Sequence, residues 1–159
     1  MPRKIQVGDP APSFRLPTDG GGELSLEELL AVGPQVFYFY PGDFQPFCTV
    51  EAVAFRDRFA ELKAAGAGVV GISPDPPKSH RDFRIQHELP FPLLSDQEHR
   101  AGRAWGVRAW GGPLRGRSTF VVGRDGRVRF RYDSLLKPEA HVRRAIEFLK
   151  SQAPGRQNP

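Results

Sequence analysis

The sequence predicts an α/β domain with a central mixed β-sheet flanked by helices. Three observations predict it. Between residues 26 and 107, short β-branched and aromatic runs alternate with stretches of helical periodicity. Two later runs, 117–122 (RSTFVV) and 128–132 (VRFRY), are joined by Arg124-Asp125-Gly126, the signal of a hairpin. An amphipathic segment follows over 138–150. An alternation of strands and helices, then a hairpin, then a helix, is the pattern of a sheet with both parallel and antiparallel neighbours.

Each element has its own reason. Residues 1–24 are rich in Pro and Gly and form an extended arm or hairpin ending in the turn Asp19-Gly20-Gly21-Gly22. Ser25, with Glu27 and Glu28 behind it, caps a short helix over 26–31. Residues 35–40 (QVFYFY), bounded by Pro34 and Pro41, read as a buried central strand. After the loop PGDFQPF a helix is expected over 48–65. Phe55, Phe59 and Leu62 share one face of it, Arg56, Asp57, Arg58, Glu61 and Lys63 face water, and Gly66 and Gly68 end it. Residues 69–73 (VVGIS) are a second buried strand. Pro76 and Pro77 break the chain before a helix over 78–87, and 91–94 is a short strand. A short helix over 100–107 leads into Trp110-Gly111-Gly112-Pro113, an aromatic loop read as packing. In the last helix Pro138 suits the first turn, and Val142, Ala145, Ile146 and Leu149 line the inner face.

The 159 residues suit a single domain over 1–152, with a disordered tail over 153–159. Hydrophobic residues make up 39% and charged residues 26%, the composition of an ordinary globular chain. The N-terminal basic residues precede no long apolar run, and no stretch is long and apolar enough to span a bilayer. A cytoplasmic location without membrane association is the expectation. Charge is uneven: 9 basic against 14 acidic residues up to position 99, then 14 against 4. The basic residues are dispersed, as in Arg127, Arg129 and Arg131 alternating along a strand, and are not interleaved with aromatics. Nucleic-acid binding is therefore not expected.

Cys48 is the single cysteine, which excludes an internal disulfide, a CxxC pair and a cysteine-rich zinc site. The histidines, His80, His87, His99 and His141, have no HxxxH or HExxH spacing and lie far from Cys48 in sequence, so no metal site and no cofactor are expected. The context of Cys48 is more informative. It sits where a buried strand ends, a loop turns and a helix begins. The first-turn N–H groups of a helix are unsatisfied and partly positive, so a sulfur placed there is stabilised as thiolate and its pKa falls. The thiolate is the form that attacks the O–O bond of a peroxide. Pro46 stops the helix from starting earlier, Pro41 fixes the strand exit and shields one side of the pocket, and Thr49 offers a first-turn hydroxyl. Tyr40 borders the pocket. Glu51, one turn after Cys48, has two readings, orienting the site's arginine or a water, or standing exposed where the helix dipole favours it, and the second is preferred.

The segment FYFYPGDFQPFCTVEA resembles the active-site segment of peroxiredoxins, the alkyl hydroperoxide reductase/thiol-specific antioxidant group, and is most similar to the bacterioferritin-comigratory-protein type. The family's Pro-x-x-x-Thr-x-x-Cys motif falls on Pro41, Gln45 and Cys48, and its late-strand Arg on Arg117 in RSTFVV. GDPAPSFRLPTDGG, VVGISPD, FPLLSD and WGV extend the likeness from about residue 7 to residue 150. The resemblance implies a thioredoxin-like fold and a thiol-dependent peroxidase. In it Cys48 is the peroxidatic cysteine, Arg117 stabilises the thiolate and orients the peroxide, and Pro41 shields the sulfenic acid. Three positions depart from the type. Gln45 replaces the Thr whose hydroxyl bonds the attacking site, and its amide or the Thr49 hydroxyl takes that place. Phe47 replaces Gly and either adds an apolar wall suited to organic peroxides or lies on the helix. Val53 stands where many members carry a resolving cysteine, so the sulfenic acid must be resolved by an external thiol: thioredoxin, a glutaredoxin-like protein or a low-molecular-weight thiol. A monomer or homodimer is compatible with the type. Two other classes compete: a non-catalytic redox-sensing or binding protein in which Gln45 has disabled turnover, and a basic binding module in residues 100–159 with salt-sensitive association.

Overall fold

Seven strands and six helices order the described part of the chain, residues 5–107 and 116–152 of a computed structural model. Strands β1 (Arg15–Pro17) and β2 (Glu23–Ser25) pair antiparallel around the Asp19 to Gly22 turn. Helix α1 (Leu26–Val32) starts in a capping box: the Glu28 N–H donates to Ser25 Oγ, and the Ser25 N–H donates to Glu28 Oε1.

The main sheet contains β3 (Gln35–Phe39), β4 (Gly68–Ser73), β5 (Leu93–Ser95), β6 (Ser118–Val122) and β7 (Val128–Asp133) in the order β5-β4-β3-β6-β7. β3, β4 and β5 are parallel, whereas β6 and β7 run antiparallel to their neighbours, so the sheet is mixed as expected. The alternation of β3 divides the interior into two cores. Val36 and Tyr38, with Tyr40 just beyond the strand, join Ala52 and Phe55 of α2 (Pro46–Asp57), Phe83 of α4 (Pro77–His87) and Val142, Ala145 and Ile146 of α6 (Pro138–Ser151). Phe37 and Phe39 face the other way, toward α1, Phe14, Trp105 and Phe120. A strand covered on both faces is apolar along its length, which is why VFYFY shows no polar alternation, while buried Gln35 at its start satisfies its amide on Leu29 O.

Some boundaries differ from those expected. The helix expected over 48–65 begins two residues earlier and is two helices, α2 and α3 (Phe59–Ala64), separated by Arg58 at φ −110° and ψ 15°. Pro46 occupies the first turn of α2 instead of blocking it, because a residue without an N–H loses nothing where N–H groups have no intrahelical partner. Helix α5 (Arg100–Ala104) is shorter than expected, and β5 begins two residues later. Trp110-Gly111-Gly112-Pro113 and the tail over 153–159 lie outside the described residues.

The arginines of the hairpin are spent within the fold. Arg127 donates to Gly8 O, Arg129 pairs with Asp125, and Arg131 pairs with Asp133 while its guanidinium lies over the Phe120 ring. Among the described residues no helix is long and apolar enough to cross a membrane.

Candidate active site

The β3–β6 register, in which Phe39 pairs with Ser118, carries Arg117 to the C-terminal end of β3. The loop after β3 begins there, and α2 rises from its far end. Cys48, in the first turn of α2, and Arg117 therefore meet across 69 residues of sequence: Arg117 Nη1 donates to Cys48 Sγ at 3.5 Å. Both are buried.

Arg117 is shared. The same Nη1 donates to Glu51 Oε1 at 2.6 Å, and Nε donates to Leu135 O at 3.2 Å. Glu51 has no exposed surface, contrary to the water-facing position expected of it. Its second oxygen, Oε2, has no hydrogen-bond partner among the described residues and lies 3.7 Å from His141 Nδ1. His141 on α6 is oriented by two bonds. Its Nε2–H donates to Ser134 O at 2.8 Å, and Nδ1 shares a hydrogen bond with the Thr119 hydroxyl at 2.8 Å. In the neutral ring Nδ1 carries no proton and accepts from Thr119. Burial pushes its pKa down to about 4, and the nearby Arg117 acts in the same direction. Burial pushes Glu51 the other way, up to about 7, against the pull of Arg117.

These two shifts have opposite consequences for stability. The Glu51 pKa is raised on folding, so its contribution is complete below about 4.5 and is lost as pH rises through about 7. The His141 pKa is lowered, so its contribution is complete above about 6.5 and is lost as pH falls through about 4. The two slopes cancel where they overlap. We expect urea unfolding free energies of the native protein to be nearly flat from pH 4.5 to 6.5, and those of Glu51→Gln to rise over that range by up to roughly 1.4 kcal/mol per pH unit. Parallel curves for the two proteins would count against the assignment.

Cys48 is more confined than its place in the sequence suggested. Burial pushes the thiol above its ordinary pKa. Arg117 and the Gly42 N–H pull it down, and Glu51 adds an upward push. The expected fall is thus a fall relative to an equally buried sulfur, not relative to a thiol in water. Glu51 and Cys48 compete for one guanidinium. Protonating Glu51 leaves the cation to the sulfur.

The other expected residues surround this pair unevenly. Pro41 is buried at the strand exit. Gln45 caps α2 without a side-chain bond to it and turns its amide toward the sulfur, Oε1 lying 3.9 Å from Sγ. In this orientation the amide accepts from the thiol, and turned over it donates to the thiolate. Thr49 is half-buried, with its N–H donating to Gln45 O. Phe47 is 45% exposed, as are Phe44 and Val50 to similar degrees. Tyr40 departs from the expected pocket contact: it is fully buried and donates its hydroxyl to Asp43 Oδ1 at 2.7 Å. Sequence reasoning missed His141, Asp43 and His80. Nothing in their local segments singles them out, and only the tertiary fold gives each its partners.

Residues 7–131 match the model of the AhpC/TSA family. Chloroplastic peroxiredoxin Q of Gentiana triflora is 42% identical over 149 residues, which are 93% of this chain and 68% of that protein. The corresponding protein of Populus jackii is 43% identical, with 93% and 70% covered. Among solved structures, peroxidoxin BcpB from Mycobacterium tuberculosis superposes with a TM-score of 0.87 at 35% identity, covering 94% of this chain and 99% of that one. Peroxiredoxin Q of Xanthomonas campestris does so at 0.79 and 32%, covering 89% and 92%. A thioredoxin-like mixed sheet, a buried cysteine at a helix start under an arginine, and these relatives agree: the chain belongs to the AhpC/TSA family, as a thiol-dependent peroxidase of the peroxiredoxin Q, or bacterioferritin-comigratory-protein, type.

Proposed function

We propose that this peroxidase runs a one-cysteine cycle and favours organic hydroperoxides over hydrogen peroxide. The observation that carries the reading is the single sulfur, buried in the first turn of α2 with Arg117 Nη1 at 3.5 Å and an exposed apolar rim of Phe44, Phe47 and Val50 around its helix start.

The Cys48 thiolate attacks the terminal oxygen of ROOH. The S–O bond forms as the O–O bond breaks, and the departing alkoxide takes a proton to become ROH. Sulfur is oxidised to the sulfenic acid and the peroxide is reduced. Arg117 and the open N–H groups of α2 stabilise the developing charge. Val53 offers no thiol, so an external thiol condenses with the sulfenic acid, releasing water and leaving a mixed disulfide. A second thiol then frees Cys48. Thioredoxin, a glutaredoxin-like protein or a low-molecular-weight thiol supplies these equivalents. The enzyme works in the cytoplasm as a monomer or homodimer.

The test is stopped-flow oxidation of the reduced protein, read by tryptophan fluorescence, with mass spectrometry locating the added oxygen. We expect second-order oxidation confined to Cys48, faster with an alkyl hydroperoxide than with hydrogen peroxide by about tenfold, the worth of one modest apolar contact. Phe47→Gly is expected to bring that ratio close to one. A rate no better than that of a small free thiol would refute the enzyme and favour a redox sensor.

A further inference from the structure

A second polar cluster lies behind the loop that follows β3. Asp43, in that loop, is buried and fully bonded. Tyr40 donates to Oδ1 at 2.7 Å, and Ser79 donates to Oδ2 at 2.7 Å. The Asp43 N–H donates to Asp75 Oδ2 at 2.7 Å, and that oxygen also accepts from the Ser73 hydroxyl at 2.7 Å. His80 of α4, with no exposed surface, completes the cluster. Its Nδ1 is 2.8 Å from Asp43 Oδ2, and its Nε2 is 3.0 Å from Leu94 O.

Counting protons around this ring leads to a definite state. Leu94 O can only accept, so Nε2 must donate. Nδ1 and the Asp43 carboxylate stand at hydrogen-bond distance, and one proton must lie between them. The Tyr40 and Ser79 hydroxyls donate to the same carboxylate and do not supply that proton. A neutral imidazole beside an ionised carboxylate leaves one of the two contacts without a hydrogen. The rival arrangement puts the only ring proton on Nδ1 and has Ser73 donate to Nε2. That contact is long, at 3.5 Å, and the Ser73 proton already faces Asp75. A second rival has the Tyr40 hydroxyl donate to a bare Nδ1, but that contact is also long, at 3.4 Å, and the Tyr40 proton already faces Asp43 Oδ1 at 2.7 Å. The ligand-type atoms of Asp43, Asp75 and His80 lie within 4.8 Å of one another, yet those on the carboxylates are occupied by these donors.

The cluster reaches the sulfur through the loop. The Gly42 N–H, adjacent to Asp43, favours the ionised Cys48 sulfur and pulls its pKa down. Gly42 is closely held: a Cβ on it would stand 3.2 Å from Gln45 Nε2 and 3.5 Å from Asp75 Oδ2. On the other side Phe44 is kept at φ 66°, a left-handed conformation strained for an aromatic residue, with its ring edge against Phe83 at 5.1 Å. A loop in that conformation persists only if its neighbours are anchored, and Asp43 is the anchor.

We propose that His80 is held as an imidazolium, both ring nitrogens donating, and that this buried cation acts through Asp43 as a positioning group for the loop that carries Gly42 beside Cys48. The groups facing it are Asp43, Asp75, Tyr40, Ser73 and Ser79, together with Leu94 O. The thiolate half of this assignment rests on the peroxidase reading; the proton count does not.

The full-length reduced protein, labelled with nitrogen-15 in its histidine rings, is examined by long-range proton–nitrogen correlation at neutral pH. His80 is expected to show two protonated ring nitrogens, and His141 one protonated and one bare as an internal control. A bare nitrogen on His80 overturns the proposal. In Asp43→Asn, which keeps the shape of the loop residue, His80 is expected to lose the Nδ1 proton and keep the one on Nε2. If it retains both, Asp43 is not its partner. Alkylation of Cys48 by iodoacetamide across pH tests the second half. His80→Asn and Asp43→Asn are each expected to move its midpoint up by about one pH unit, the worth of one hydrogen bond to a charged group. Unchanged midpoints in both folded variants would overturn the positioning role whether or not the native protein reduces peroxides.

Discussion

Cys48→Ser is expected to reduce peroxide consumption to the uncatalysed background while leaving the fold intact. The chain has one sulfhydryl, so no other residue can carry the sulfenic acid. A serine hydroxyl is not ionised at neutral pH and is a poor nucleophile toward an O–O bond. The side chain is fully buried, and the change from sulfur to oxygen removes little volume, so stability is expected to change by less than about 1 kcal/mol. Following residual hydroperoxide with a ferrous dye, beside a thermal melt of the variant, measures both. Turnover retained in a variant free of native protein would dissociate the chemistry from Cys48.

Arg117→Met should produce the next largest effect, on rate and on stability together. Loss of the guanidinium removes the strongest charge facing the sulfur. Comparable losses of a preorganised electrostatic donor cost about 10²–10³ in rate. It also leaves Glu51 buried without its cation, and breaking a buried pair costs about 3–5 kcal/mol. Glu51 can escape part of that cost by taking up a proton, which its position already favours. The destabilisation is therefore expected to be large at pH 8 and much smaller at pH 5. Adding Glu51→Gln should restore stability at pH 8 without restoring the rate of oxidation. If the double variant recovered the rate as well, Arg117 would act on the fold and not on the thiolate.

The sequence made the scaffold legible wherever one local pattern had one physical solution. After Gln35 the segment VFYFY carries large apolar or aromatic side chains at every position because both faces of β3 are covered, and the spacing of Val142, Ala145, Ile146 and Leu149 matches a helix lying against α2. Cys48, Pro41 and Arg117 could be named because a segment motif carried them. Glu51 could not. A glutamate in the first turns of a helix looks the same in sequence whether it faces water or, as here, an arginine 66 residues away. His80 and Asp43 are 37 residues apart, and no periodicity links them. The break at Arg58 has no glycine or proline to announce it, and Pro46 carried two opposite meanings, of which the helix start prevailed.

The strand order has a consequence for how reactivity arises in time. β3 pairs with β6, and the arginine that activates Cys48 follows it by 69 residues in the chain. Contacts this distant in sequence require closure of a long loop and form late in folding. During synthesis at about 5–20 residues per second, Cys48 emerges several seconds before Arg117. Throughout that interval its thiol is an ordinary one, neither buried nor paired with a cation. The nascent chain is thus no better a target for peroxide than any small thiol, and rapid oxidation begins only when the β3–β6 pair has closed and the protein can turn over.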